Sequence, residues 1–349
     1  MFNPERLELA RKRRRFTAKS LAEKAGIAPV TLSRIVNRQQ IPDESTVSGL
    51  VDALGYPRDF FFQDDIDPID ASAASFRSLT GMSARERDAA LAAGSLAYEV
   101  IDWVSERFTL PKADILDLGH ERDPASAARM LRQYWSIGEK PVGNMIKLLE
   151  SKGVHVFSLA EDTKNVDAFS CWRNGQPFVF LNTFKSTERS RFDAAHELAH
   201  LVLHRHGGPQ GREAETEANQ FASAFLMPHA DLVSTIPYVS SIDQILRAKK
   251  RWGVAAVALA YRLNKLGLMT EWQYIQVNRR YRTSEPDGLP PERSSIWQMV
   301  LQELWKEGLS RGAIAAKLLM PEEELESLLF GLAGDTAPPA RRTPDLKAV

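Results

Sequence analysis

Apolar residues recur at helical spacing along most of the chain and alternate at strand spacing only over a short central stretch. That pattern predicts a mainly α fold with a small β-sheet, an α+β architecture. At the amino terminus a helix opens at Asn3 or Pro4 and runs through Arg15, and Thr17 caps a second over 18–25. A turn at Ala25-Gly26-Ile27 leads to a third helix, roughly Pro29 to Asn37, and Pro42 and Ser45 introduce a fourth that ends at Gly55. Leu21, Ile27, Leu32 and Ile35 fall where such a helix pair buries its inner face. Ala22 is small at the crossing, and Gly26 sits at a turn that wants a positive φ. Residues 85–108 read as one long amphipathic helix, followed by helices at 123–135 and 144–152. Gly153–Leu159, Ala168–Trp172 and Phe178–Leu181 read as strands, the last two joined by an Asn174-Gly175 hairpin turn. Helices then resume: one carrying RFDAAHELAHLVLHRH from Arg191, one over 212–226, a pair over 243–267 broken at Trp252-Gly253, and a pair over 310–330.

Composition narrows the class. A chain of 349 residues with 44% hydrophobic and 26% charged residues is long enough for two or three domains with their own cores. No apolar run reaches the length of a membrane span, and the basic amino terminus has no apolar stretch behind it, so the expected location is the cytoplasm with no membrane partner. The single cysteine, Cys171, excludes an internal disulfide and a cysteine-built zinc site, and reads as a small strand residue. Net charge is zero but unevenly spread. Residues 1–40 hold ten Lys/Arg against three acids, whereas Glu322, Glu323, Glu324 and Glu326 cluster near the other end. One end is therefore suited to a polyanion and the other is not.

The spacing of Ala22, Gly26 and Ile27 together with the local positive charge resembles the XRE-type, phage-repressor-like helix-turn-helix family over residues 4–62. The resemblance implies that the third helix enters the major groove of double-stranded operator DNA, with Val30, Thr31, Ser33 and Arg34 facing the bases. Arg38 and the Arg11–Arg15 run would lie nearer phosphates. Ala18 stands where the family usually opens its second helix with glutamine, which removes one expected contact. A single head reads a half-site, so a homodimer is expected on DNA.

Chemistry of another kind sits at His196-Glu197-Leu198-Ala199-His200. Four residues apart on a helix, both imidazoles leave one face about a turn apart, as two ligands of a tetrahedral Zn²⁺ require. Glu197 is placed to take a proton from water whose pKa a metal has lowered, as that water attacks a carbonyl. A third ligand is expected from the helix REAETEANQFASAFL, where Glu213, Glu215 and Glu217 compete. Alternate residues on a helix point about 200° apart, so these three cannot share a face. The apolar stripe of Ala222 and Leu226 favours Glu215, with Asn219 holding a ligating histidine from behind, and Glu217 is the runner-up.

SRFDAAHELAHLVLH followed by EAETEANQFASAFLMP resembles the ImmA/IrrE family of gluzincin-like metallopeptidases over roughly residues 125–270. The resemblance implies metal ligation by His196, His200 and Glu215, with Glu197 as general base. It also implies a repressor-type protein as the substrate, in a stress or mobile-element response. Zn²⁺ is the expected metal and Mn²⁺ its alternative. His204, one turn beyond His200, is expected to line the site behind the ligands, to stabilise the oxyanion or to pack beside it.

The expected organisation is a DNA-binding head at 1–62 and a linker with an amphipathic helix at 63–122. A metallopeptidase domain follows at 123–282, including the helix-turn-helix-like pair 243–267, then a helical interaction region at 283–334 and a disordered tail at 335–349. The favoured function is a DNA-binding regulator with a zinc endopeptidase that cuts a repressor-type protein, in trans or itself. The alternative is a binding-only repressor that uses the zinc fold as a sensor or docking module.

Overall fold

The computed structural model describes residues 1–70, 75–76, 83–159, 168–206, 211–283 and 288–334. The fold is mainly α with a small sheet. Four helices make the head: α1 (Pro4–Arg13), α2 (Ala18–Lys24), α3 (Pro29–Val36) and α4 (Glu44–Leu54). Each short polar cap satisfies a backbone donor that the helix start leaves open. Asn3 Oδ1 accepts from the Glu5 amide at 2.9 Å, Thr17 Oγ1 from Ser20 at 3.0 Å and Asp43 Oδ1 from Thr46 at 2.8 Å. α1 stops two residues short of the expected end because Arg15 turns into the left-handed region at φ 58°. Leu7, Leu21, Ala22, Leu32, Ile35 and Leu50 form the head's buried interior, while Ile27 is half-buried.

The stretch expected to be a linker is tethered through residue 69. Arg6 Nε donates to the Asp64 carbonyl at 2.7 Å, and Asn3 Nδ2 to the Gln63 carbonyl and to Asp65. Asp67 accepts two hydrogen bonds from Arg173, and Ile69 is buried against α5 (Ala84–Ser105). The acidic residues that make this stretch look solvated are the groups that fix it. A two-residue strand, β1 (Ser75–Phe76), then joins the sheet.

After α5 come α6 (Pro124–Tyr134), α7 (Met145–Ser151), β2 (His155–Ser158), β3 (Ala168–Arg173) and β4 (Gln176–Leu181). The sheet order is β1-β3-β4-β2, with β3 antiparallel to both neighbours and β2 parallel to β4. Asn174 and Gly175 both take positive φ, as a two-residue turn between β3 and β4 requires. Strand alternation sends Phe169, Cys171, Phe178 and Phe180 to one face, where α5 packs. There Gly94 leaves room for the Phe169 and Phe180 rings, and the Tyr98 hydroxyl lies 3.1 Å from Cys171 Sγ. Ser170 faces the other side, against α8 (Thr187–Leu203).

α9 (Arg212–Leu226), α10 (His229–Thr235), α11 (Ile242–Trp252), α12 (Ala256–Lys265) and α13 (Glu271–Tyr281) complete the middle of the chain. In the α11–α12 pair, Lys249 is buried and pairs with Glu188 at 3.4 Å, and Arg251 pairs with Asp231. These cations serve packing. α14 (Ser295–Lys306), α15 (Arg311–Lys317) and α16 (Glu322–Leu329) close the described chain. The acidic start of α16 does make a protein contact, and its partner is the head of the same chain. Buried Glu324 accepts from Arg13 Nε at 2.7 Å and from the Tyr56 hydroxyl at 3.1 Å, and pairs with Arg14 at 3.2 Å. The tail expected to be disordered, 335–349, lies outside the described residues. Among the described residues no helix is long and apolar enough to cross a membrane.

Candidate metal centre

α8 is capped by Ser186, whose Oγ accepts from the Arg189 amide at 3.3 Å, and it is buried from Asp193 to Leu203. Arg191 anchors it. Its guanidinium donates to the carbonyls of Val142, Gly143, Trp252 and Gly253 and pairs with Glu292. Gly253 has φ 63°, and a Cβ there would lie 2.7 Å from Arg191 Nε, so glycine serves both the turn and the anchor.

On this fixed helix His196 and His200 present Nε2 to one another at 3.2 Å. Glu215, from the first turns of α9, brings Oε2 to 3.2 Å from His196 Nε2 and Oε1 to 3.4 Å from His200 Nε2. A tetrahedral zinc with nitrogen ligands at about 2.0–2.1 Å has ligand–ligand edges of about 3.3–3.4 Å. The three donors therefore stand at the separations such an ion imposes, and two imidazoles with one carboxylate are a donor set that zinc accepts. Burial raises the Glu215 carboxyl, but the hydrogen bonds and charges of His196 and His200 outweigh it and bring it down to about 2. Among the described residues, buried His196 Nδ1 has no hydrogen-bond partner.

Around these donors is a supporting layer. His200 Nδ1 lies 2.9 Å from His204 Nδ1, and His204 Nε2 lies 2.9 Å from Glu217 Oε2. With His200 Nε2 left as a lone pair, its Nδ1–H donates to His204, whose Nε2–H donates to Glu217. Burial lowers the His204 pKa against the pull of Glu217, so the neutral ring this relay needs is favoured. Glu217, the alternative ligand, thus stands behind the donors. Asn219 differs from expectation: its amide donates at 2.7 Å to the Glu215 carbonyl of its own helix and reaches no histidine. Glu197 is fully buried and accepts from Ser170 Oγ at 2.7 Å. Ser170 carries no sequence signal of its own beyond its alternation along a strand. A cleft of 560 Å³, lined in part by Phe192, Asn219, Ser223, Tyr261 and Tyr274, begins one turn from His196 and Glu215.

The head presents Val30, Ser33 and Arg34 on the exposed side of α3, with Thr31 half-buried. Arg38 is exposed at φ 58° and lies 3.6 Å from Glu5. The Arg11–Arg15 run differs from expectation. Arg11 binds Glu8 and the Phe16 carbonyl, while Arg13 and Arg14 engage Glu323 and Glu324, so these three side chains are committed within the protein and not to phosphates.

Residues 7–61 match a helix-turn-helix family model, and residues 149–264 match a peptidase family model described as the IrrE N-terminal-like domain. The two matches lie one after the other on the same chain. The helix-turn-helix match falls on α1–α4, and the IrrE-like match spans β2–β4, the helix pair α8–α9 that carries the three donors, and α12 nearly to its end. A DNA-binding head and a metallopeptidase-like domain are thus present in one polypeptide. No curated protein matches the chain.

Proposed function

We propose that the protein is a DNA-binding transcriptional regulator whose second domain is a zinc-dependent endopeptidase acting on a repressor-type protein. The observation that carries this reading is the convergence of His196, His200 and Glu215 at tetrahedral separations beside a fully buried Glu197. Zinc, when bound, would supply the Lewis acidity that makes water nucleophilic near neutral pH and polarises a carbonyl. Manganese is the alternative ion. His196 and His200 would hold it through Nε2 and Glu215 through its carboxylate. Glu197, held by Ser170 at one oxygen, takes the water proton on its carboxylate and returns it to the leaving amine. His204 and Glu217 keep His200 in the tautomer that offers Nε2.

Val30, Thr31, Ser33 and Arg34 would read base edges and Arg38 a phosphate, with two copies needed for a complete operator. A cytoplasmic location goes with this proposal. The division into a head to residue 62, a peptidase core over 123–282 and a helical region beyond it belongs to the same reading.

The test is regulatory. Operator sequences are selected with the purified protein, placed before a reporter, and the wild type is compared with Glu197→Gln under inducing stress. Loss of induction with unchanged DNA affinity is the expected result. Unchanged induction would make the protein a binding-only repressor.

A further inference from the structure

Glu197 is held by β3, since Ser170 Oγ donates to its carboxylate at 2.7 Å. One edge of β3 is taken by β4. The other edge is taken by the chain's own β1, antiparallel, with Ser75 opposite Ser170 and Phe76 opposite Phe169. Residues paired across an antiparallel ladder lie about 5 Å apart. The backbone at Ser75 therefore runs one strand spacing from the residue that holds the general base.

That position is the one an extended peptide takes when it binds a sheet edge, where main-chain hydrogen bonds hold it whatever its sequence. The approach to it is pinned as well. Asp67 is gripped by Arg173 at the far end of β3, and Ile69 is buried against α5. The described residues between the head and the peptidase core thus meet β3 first at Arg173, through Asp67, and then at Ser170 and Phe169, through Ser75 and Phe76.

We propose that the interdomain segment at Ser75–Phe76 occupies the substrate strand of the metal centre and is the chain's own substrate, cut in cis. This rests on the peptidase reading and names its substrate. In the step, water oxygen adds to a backbone carbonyl carbon of the segment while Glu197 takes the water proton. The C–N bond then breaks and the proton passes to the departing nitrogen. The head fragment gains a carboxylate terminus and the remainder an amine. After the cut, the head is held to the body only by non-covalent contacts such as Arg6–Glu99 and the Arg13, Arg14 and Tyr56 contacts with Glu324. Loss of the covalent tether removes the high effective concentration that keeps those contacts formed.

The experiment uses the full chain, stripped of metal and then supplied with Zn²⁺, with intact mass followed over time for wild type and Glu197→Gln. Denatured casein is offered in parallel as an unrelated substrate, and thermal melting checks that both proteins are folded. The expected result is one cut within a few residues of Ser75–Phe76, absent in Glu197→Gln. Its rate should change less than about two-fold across a hundred-fold dilution, as an intramolecular event requires. A cut that slows in proportion to dilution would overturn cleavage in cis. Cleavage of casein with the interdomain segment left whole would overturn the inference and leave the peptidase standing. No cleavage of either by the zinc-loaded chain would overturn both.

Discussion

Glu324 of α16 accepts a hydrogen bond from Arg13 of α1 at 2.7 Å across 311 positions of sequence. The same carboxylate takes Arg14 and the Tyr56 hydroxyl, and it is 2% exposed. The last described helix is thereby clasped to the DNA-binding head. Glu324→Ala takes from Arg13 and Arg14 the buried carboxylate they share and leaves Arg14 with the exposed Glu323, and the expected loss is about 3 kcal/mol of stability in urea unfolding. Replacing the cluster with Arg13→Met and Glu324→Leu together should recover more than half of it. A loss below about 0.5 kcal/mol for Glu324→Ala would mean that the clasp does not hold in solution.

Ser170 orients Glu197 without belonging to the donor set. Ser170→Ala should lower kcat on a cleaved substrate by about ten-fold while KM and bound metal stay at wild-type levels. If metal content falls along with kcat, Ser170 supports the fold of the site and not the general base.

The His204–Glu217 relay acts on affinity. His204→Phe and Glu217→Gln should each weaken zinc binding by about 10- to 100-fold in a chelator competition titration, because His200 loses the partner that fixes its tautomer. Equal affinities in wild type and both variants would reduce the pair to packing.

His155, away from this centre, gives the chain a pH signature. Burial, against smaller opposing effects of Asp102 and Gln176, pushes its pKa from 6.5 to about 4. Between those values the unfolded chain holds the proton and the folded chain does not. The stability is therefore complete above about pH 6.5 and drains away as pH falls towards 4, by about 3 kcal/mol. His155→Gln should flatten that slope in denaturation curves measured from pH 7 to pH 4. An identical slope in wild type and variant would place the titration elsewhere.

Local spacing makes part of the metal centre legible in the sequence. Two histidines four apart must share a helix face, and the apolar stripe of α9 turns Glu215 towards them. Asn219 escapes that reasoning because a short amide at i+4 sits above the carbonyl of residue i and bonds there. The orienting role falls to His204 and Glu217, a pair 13 residues apart, one just past the end of α8 and the other on α9, whose approach no spacing rule announces. Ser170 reaches Glu197 only through strand packing.

Charge counting falls short in a related way. It registers ten cations in the head but not that α16 folds back on two of them. The Asp-rich stretch after Gln63 looks solvated by composition, yet its carboxylates and carbonyls meet Asn3, Arg6 and Arg173, from segments distant in sequence. Helices and the donor set are written in local pattern; what binds one segment to another is written in pairs of distant residues.

The central claim is that His196, His200 and Glu215 hold a catalytic metal, and metal content per chain tests it most directly. The protein is purified without chelator, reconstituted at neutral pH, and measured by inductively coupled plasma mass spectrometry beside Glu215→Ala. The expected result is about one zinc or manganese per chain, falling to under about a tenth in the variant. No metal in the wild type, or the same content in Glu215→Ala, would contradict it.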